Sequence, residues 1–495
     1  MIFTRAVFSR LLALVYFIAF LSLWLQLDGL IGSGGVLPAS QLMQAAAAKI
    51  PWRADLLPTV FWFSTSDRFL HFVCGGGILL SVIAIAGFAE PLVFLLLWAF
   101  YLSLVTVSGE FLSFQWDNLL LETGFLAIFF APFRWREKLS NVPPPSGVMV
   151  WLLRWLLFRL MLQSGLVKIL SGDLAWASFT ALTYHYETQP LPTWIGWYAH
   201  QLPAWFHMAS EGVMFAIELA VPFFIFLTRR FRIAAFWAFV VFQGLIAATG
   251  NYGFFNLLTC VLCVVLLDDE CLGFLARRER KEKRAERETS LSEPRASRAV
   301  RTPQPSRLPL VFFIPLAVFI VALSGAEWAA RVFGAGWMPG PARGVLAAVA
   351  PFRSVNTYGL FAVMTTERAE VVVEGSMDGV TWLPYEFKWK PGDVTRRPGF
   401  VEPRQPRLDW QMWFAALGTC ERNPWFTNFL YRLLQGSPPV LELLETNPFP
   451  DKPPLYVRSV LYDYRFTDPE TKAVDGAWWR RGLKGEYCPV VSLPR

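Results

Sequence analysis

Charge is scarce in this chain. Of its 495 residues, 17% are Asp, Glu, Lys or Arg, against 54% hydrophobic, where a soluble domain carries about 25% charge. That scarcity excludes a soluble globular protein. Histidine is equally thin: four residues, none paired at i, i+4, so a zinc or iron site is not expected. Six cysteines do not make a disulfide scaffold. No nucleophile elbow, phosphate-binding loop or dinucleotide fingerprint occurs. The first apolar run lacks a small-residue cleavage site, so it reads as a retained helix and not as a cleavable signal.

Apolar length is what the chain has. Several runs approach or exceed the ~18–20 residues that cross a bilayer as a helix. The expected spans lie near 11–27, 69–88, 91–107, 117–132, 148–170, 206–227, 233–248, 254–267 and 309–326. The class is therefore a polytopic α-helical membrane protein of about eight or nine spans. The 22 Trp residues suit the membrane–water interface. Arg5 and Arg10, then Arg134, Arg136 and Lys138, then Arg229, Arg230 and Arg232 fall on alternate turns. Positive charge on those turns predicts N-in, C-out.

Of the net charge of +7, an excess of six belongs to one stretch: Arg277 to Arg307 holds eleven Lys/Arg against five Asp/Glu. It reads as a solvated cytoplasmic linker that can touch anionic lipid, and no motif supports nucleic-acid binding. Cys260 and Cys263 have a redox spacing but sit in an apolar run, where small packing residues are the expected reading. Cys420 and Cys488 can pair if their region faces an oxidising compartment.

After Pro341 the composition changes. Residues 369–375 and 455–465 read as strands, Ser376-Met-Asp-Gly379 as a turn, 380–389 as one or two strands, and 407–417 and 425–434 as helices. The expected domains are a helical membrane domain at 1–274, a basic linker at 275–308, a last transmembrane helix with its connection at 309–340, and an extracytoplasmic, mainly β, sandwich-like domain with helical insertions at 341–495.

Polar groups concentrate at one membrane edge, and ionisable residues there are uncommon without a use. Lys168 ends the fifth span. It either snorkels to the interface or is partly buried as a base or anion anchor. His185 and Glu187 either shuttle protons or hydrogen-bond their loop in place. Gln115, Trp116, Asp117 and Glu122 either cap an interfacial turn or line a cavity with Tyr184, Tyr186 and Gln189. Asn118 and Glu122, at i, i+4, share a helix face, whereas Asp117 and Glu122 do not quite. Arg159 lies near the inner face or pairs inside the bundle. Glu211 and Glu218 lie seven apart, on one face.

At Trp116-Asp-Asn-Leu-Leu-Leu-Glu-Thr-Gly124, Tyr184-His-Tyr-Glu-Thr-Gln-Pro190, Val355-Asn-Thr-Tyr-Gly-Leu-Phe361, Arg407-Leu-Asp-Trp-Gln-Met-Trp-Phe-Ala-Ala416 and Ala477-Trp-Trp-Arg-Arg481 the chain resembles the lipase maturation factor family. The blocks run through nearly the whole chain. The resemblance implies a membrane-resident folding factor whose outer domain contacts a secreted client, a lipase in animal members. It implies the endoplasmic reticulum membrane in a eukaryote, or the plasma membrane with a periplasmic C-terminal domain in a bacterium. A more distant similarity, in Ser164-Gly-Leu-Val-Lys168 followed by Asp173 and Trp176, is to horizontally arranged transmembrane helix proteins that include the vitamin K-dependent γ-carboxylases.

Two functions follow as expectations. The first is an assembly factor, with Trp382, Trp389, Trp410, Trp413 and Trp425 either packing the core of the outer domain or serving as client contacts, and with membrane lipid as its other partner. The alternative is a membrane enzyme acting on a lipid, quinone or secreted protein. In it Lys168 is the base, His185 and Glu187 the relay, and Asp117 and Glu122 position them. No cofactor is evident beyond that lipid or quinone.

Overall fold

The computed structural model of the protein describes residues 1–49, 56–132, 143–273 and 308–494. Most of the basic linker, and Arg134, Arg136 and Lys138, lie outside the described residues. Seven helices among those described are long and apolar enough to cross a bilayer: Ile2–Trp24, Asp67–Ile85, Glu90–Leu112, Gly147–Leu170, Ala204–Phe226, Arg229–Thr249 and Phe312–Phe333. Two shorter ones, Gln115–Phe130 and Phe255–Leu266, complete the alternation. Both pack inside the bundle, their apolar residues largely buried, so neither must match the membrane thickness by itself. The protein is thus an integral membrane protein with a C-terminal domain that contains antiparallel sheets.

The first helix starts earlier than its apolar run. Arg5 lies inside it and is buried, because the helix end is tied down: the N-terminal ammonium pairs with Asp269, whose carboxylate also takes the amides of Ile2 and Thr4. At the same end Arg229 pairs with Asp268, and Arg232 and Arg154 donate to the carbonyls of Leu266 and Val265. This end gathers the arginines. The other end carries the C-terminal domain.

That domain is built on a four-stranded antiparallel sheet of order β2-β1-β5-β6, where β1 is Arg368–Ser376, β2 Leu383–Pro384, β5 Tyr456–Phe466 and β6 Trp479–Val491. β3 (Glu386–Phe387) and β4 (Leu444–Thr446) pair separately. β1 and β5 run in unbroken register from Arg368↔Tyr464 to Ser376↔Tyr456. β6 was not legible as a strand: glycines at 482 and 485 and charged residues at 480, 481, 484 and 486 break its alternation. Those are the residues that blunt an exposed sheet edge, and an edge is where β6 lies. The Arg407–Ala416 and Pro424–Leu434 helices carry the buried face of this domain. Cys420 and Cys488 are joined as a disulfide, with Cα atoms 5.5 Å apart. It fastens the segment after the Arg407–Ala416 helix to the end of β6.

Candidate functional site

The polar residues of the outer edge form several buried clusters. Most of them bolt the outer domain to the bundle.

Asp117 stands in the first turn of the Gln115–Phe130 helix, where a carboxylate suits the helix dipole. It is fully buried. Arg407 grips it with two parallel bonds, Nη1 to Oδ2 at 2.6 Å and Nη2 to Oδ1 at 2.8 Å, and Tyr101 donates its hydroxyl to Oδ1. Arg407 also donates to the Phe111 carbonyl at 3.2 Å and lies over the Phe114 ring. Trp116 packs beside this pair, 4.8 Å centroid to centroid from Trp410.

Glu122 faces the opposite way. It takes a guanidinium nitrogen of Arg159, the hydroxyl of Tyr358 at 2.6 Å and the Asn356 amide at 3.2 Å. Arg159 therefore pairs inside the bundle. Asn118, on the same face as Glu122, accepts from Arg353 at 2.8 Å. Gln115 clasps both backbone groups of Gly359, and Gln163 accepts the Tyr358 amide. Residues 353–359 are thus a strap stitched across the Gln115–Phe130 and Gly147–Leu170 helices. A Cβ at Gly359 would meet Val167 at 2.7 Å, and its φ of +139° also favours glycine.

Lys168 is buried, and its ammonium is filled by partners: both oxygens of Glu218, at 2.8 and 3.0 Å, and the Ser164 carbonyl at 2.9 Å. Glu218 sits on a π-helical turn, Ala216–Ala220. The cause is Pro222, which has no N–H and would clash with the carbonyl one turn back. The widened turn aims Glu218 at Lys168. Gly165 lets the two helices meet, since a Cβ there would touch Glu218 and Leu219 at under 3 Å.

Glu187 takes the Phe466 amide at 2.9 Å and Arg465 Nη1 at 3.1 Å, so it holds the end of β5. The carbonyls around it are capped by Arg368, which donates to those of Glu187, Gln189 and Pro190 and is itself held by Glu370. Tyr252 bridges His185, at 3.1 Å, and Gln189, at 2.8 Å. Gln189 in turn donates to the Thr249 carbonyl. Burial, with the Lys168 charge behind it, pushes the His185 imidazole down to about 4. Burial pushes Glu402, which accepts the Tyr252 amide, up to about 8. Tyr186 lies against the His207 ring, and Tyr184 packs on the Trp176 cluster.

Asp117 and Glu122 bond to Arg407 and Arg159, and among the described residues no hydrogen bond joins them to Lys168, His185 or Glu187. Of the candidate client contacts, Trp410, Trp413 and Trp425 are buried, Trp389 packs on the core, and Trp382 lies under Arg458, as the packing alternative expects. Sequence reasoning missed Arg368, Arg407, Tyr252 and Glu402 as the partners. Arg407 opens one of the family blocks, which was the available signal. No group of three or more metal-ligating side chains occurs among the described residues.

The fold and these clusters define a polytopic membrane protein whose C-terminal domain is bonded to the helical bundle at several buried points. Family models match both parts: a lipase maturation factor transmembrane domain over residues 3–274 and a lipase maturation factor C-terminal domain over residues 354–489. The chain belongs to the lipase maturation factor family. It is 38% identical to lipase maturation factor 2 of Xenopus tropicalis, over 97% of this chain and 81% of the relative. It is 37% identical to lipase maturation factor 2 of Homo sapiens, over 99% and 82%, and 37% identical to human lipase maturation factor 1, over 99% and 88%. No solved structure matches it.

Proposed function

We propose that this chain is a membrane-resident maturation factor that assists folding or assembly of a secreted client, a lipase being the client its relatives' names suggest. The observation that carries the reading is the pair of family matches, which take in the membrane part and the outer domain together. The polar clusters support it. They hold the outer domain in one pose against the bundle, as a platform for a client requires. Under this reading residues 1–274 anchor, 275–308 form a cytoplasmic linker, 309–340 return the chain across the membrane, and 341–495 work in the lumen of the endoplasmic reticulum or in the periplasm. The Cys420–Cys488 bond favours such an oxidising side. Lys168, His185 and Glu187 then act as anchors: an ammonium bound to a carboxylate has no lone pair to offer as a base. The experiment is co-expression with a secreted lipase from the same source, in cells that lack their own factor. A rise in the specific activity of secreted lipase is expected. Correctly inserted protein that leaves lipase activity at the empty-vector level would defeat the reading.

A further inference from the structure

The outer domain touches more than the helices beneath it. Three observations bear on its loop at 394–402. First, the loop is fastened to the outer end of a spanning helix. Arg229–Thr249 has 21 residues, about 31 Å at 1.5 Å per residue, close to the ~30 Å hydrocarbon thickness. Asn251, two residues beyond that helix, donates to the Gly399 carbonyl at 2.9 Å and accepts the Val401 amide at 2.8 Å. Phe400, between those two anchors, is therefore held at the level where hydrocarbon gives way to headgroups.

Second, Phe400 is 41% exposed although a phenyl ring gains by burial, and it does not stand alone. Its ring meets Trp194 edge-on at 5.8 Å, and Trp194 meets Tyr198 at 6.2 Å. Tyr198 and Trp205 are 53% and 69% exposed. The spanning helix to which the loop is fastened carries Trp237, Val241 and Leu245 at i, i+4, all exposed, as a stripe that faces lipid requires. Aromatic rings at the top of an apolar stripe are the composition of a membrane interface.

Third, Arg397 is exposed and lies over the Trp194 ring at 6.0 Å. It has no carboxylate partner among the described residues. A guanidinium above an interfacial indole is placed to take a lipid phosphate in two hydrogen bonds.

We infer that the 394–402 loop is a lipid-contacting wedge, with Phe400, Trp194 and Tyr198 in the interface of the outer leaflet and Arg397 on a lipid phosphate. Attachment to the spanning helix selects the occupant: the loop is fastened to an element whose exposed stripe already faces lipid. The outer domain is then held by the leaflet as well as by protein, and its remaining faces are turned away from the membrane.

The test uses the full chain in nanodiscs. Cys271, the one exposed free thiol, is first changed to Ser. Phe400→Cys, Leu245→Cys and Val380→Cys are then made singly in that background and labelled with a small fluorophore. Discs carry lipid brominated near the headgroup or unbrominated lipid. Quenching at 400 is expected to be at least half that at 245 and several-fold that at 380, which is 81% exposed on the distant turn before β2. Equal quenching at 400 and 380 would overturn the wedge and leave the patch to a protein partner. Tyr198→Cys repeats the measurement if labelling at 400 disturbs the loop. Arg397→Glu should lower quenching at 400 by about twofold. Unchanged quenching would remove the phosphate contact from the proposal.

Discussion

Arg407→Met is the sharpest test of how the two parts hold together. It removes a side chain that is 1% exposed from a carboxylate that is 0% exposed. Asp117 would keep the Tyr101 hydroxyl and lose both guanidinium bonds. A buried charge left without its partner costs about 3–5 kcal/mol, against a surface pair's ~0–1. The loss falls at the junction, since the Arg407 amide bonds to Gln26 and the Gln405 amide to Ser22. Hydrogen exchange of those amides in detergent-solubilised protein reads it directly. At 1.4 kcal/mol per tenfold, exchange should accelerate by roughly 10²- to 10³-fold, while amides in the Gly147–Leu170 helix change little. The companion Asp117→Leu with Arg407→Met removes both charges and should recover most of the protection, because paired removal is often near neutral. Two results would refute the reasoning: exchange in Arg407→Met within threefold of the parent, or a double variant worse than the single one.

Three further outcomes are expected. Lys168→Met alone should cut the yield of monodisperse protein, by stranding Glu218. Adding Glu218→Gln should restore it and keep client maturation; a restored but inactive double variant would reinstate Lys168 as a chemical group. Glu402, held near 8 when folded against about 4.3 unfolded, binds more protons folded than unfolded, so stability falls as pH rises from about 4.3 to 8. Glu402→Gln should therefore stabilise progressively across that window, by roughly 4–5 kcal/mol at pH 8, seen in melting midpoints at pH 5 and pH 8; a flat difference would show an ordinary carboxylate. Cys488→Ser opens a link across 68 residues and should cost about 2–5 kcal/mol, lowering the melting midpoint of the outer domain, and an unchanged midpoint would count against it.

The membrane class was legible because apolar length is a one-dimensional signal. The strand at 368–376 was legible from its run of three valines, and the one at 456–466 because apolar and polar residues largely alternate there. The anchors were harder. Asp117, Glu122, Glu187 and Lys168 stood out as polar groups in apolar surroundings, yet their partners lie 290, 37, 278 and 50 residues away in the chain. Periodicity reports which residues share a face, and it placed Asn118 with Glu122 correctly. It does not report which distant segment that face meets. β6 failed for a different reason: an exposed edge strand is protected by the residues that erase its pattern.

The arrangement of these clusters bears on function more than any one of them. Asp117–Arg407 and Glu187–Arg465 join bundle to outer domain, and Glu122 with Gln115 holds the 353–359 strap that leads into it. Arg368 adds a fourth fastening on the carbonyls of Glu187, Gln189 and Pro190. Each costs desolvation, and buried ion pairs are poor stabilisers compared with well-packed apolar contacts. What they supply is geometry: a charge inside an apolar junction accepts one partner in one pose, whereas an apolar junction tolerates sliding. A factor that only needed tethering to the membrane would do as well with a flexible linker after its last span. The chain instead fixes the rotation and height of its outer domain at several separated points. If that fixed pose presents the client surface, loosening one anchor should reduce maturation even while the outer domain itself stays folded.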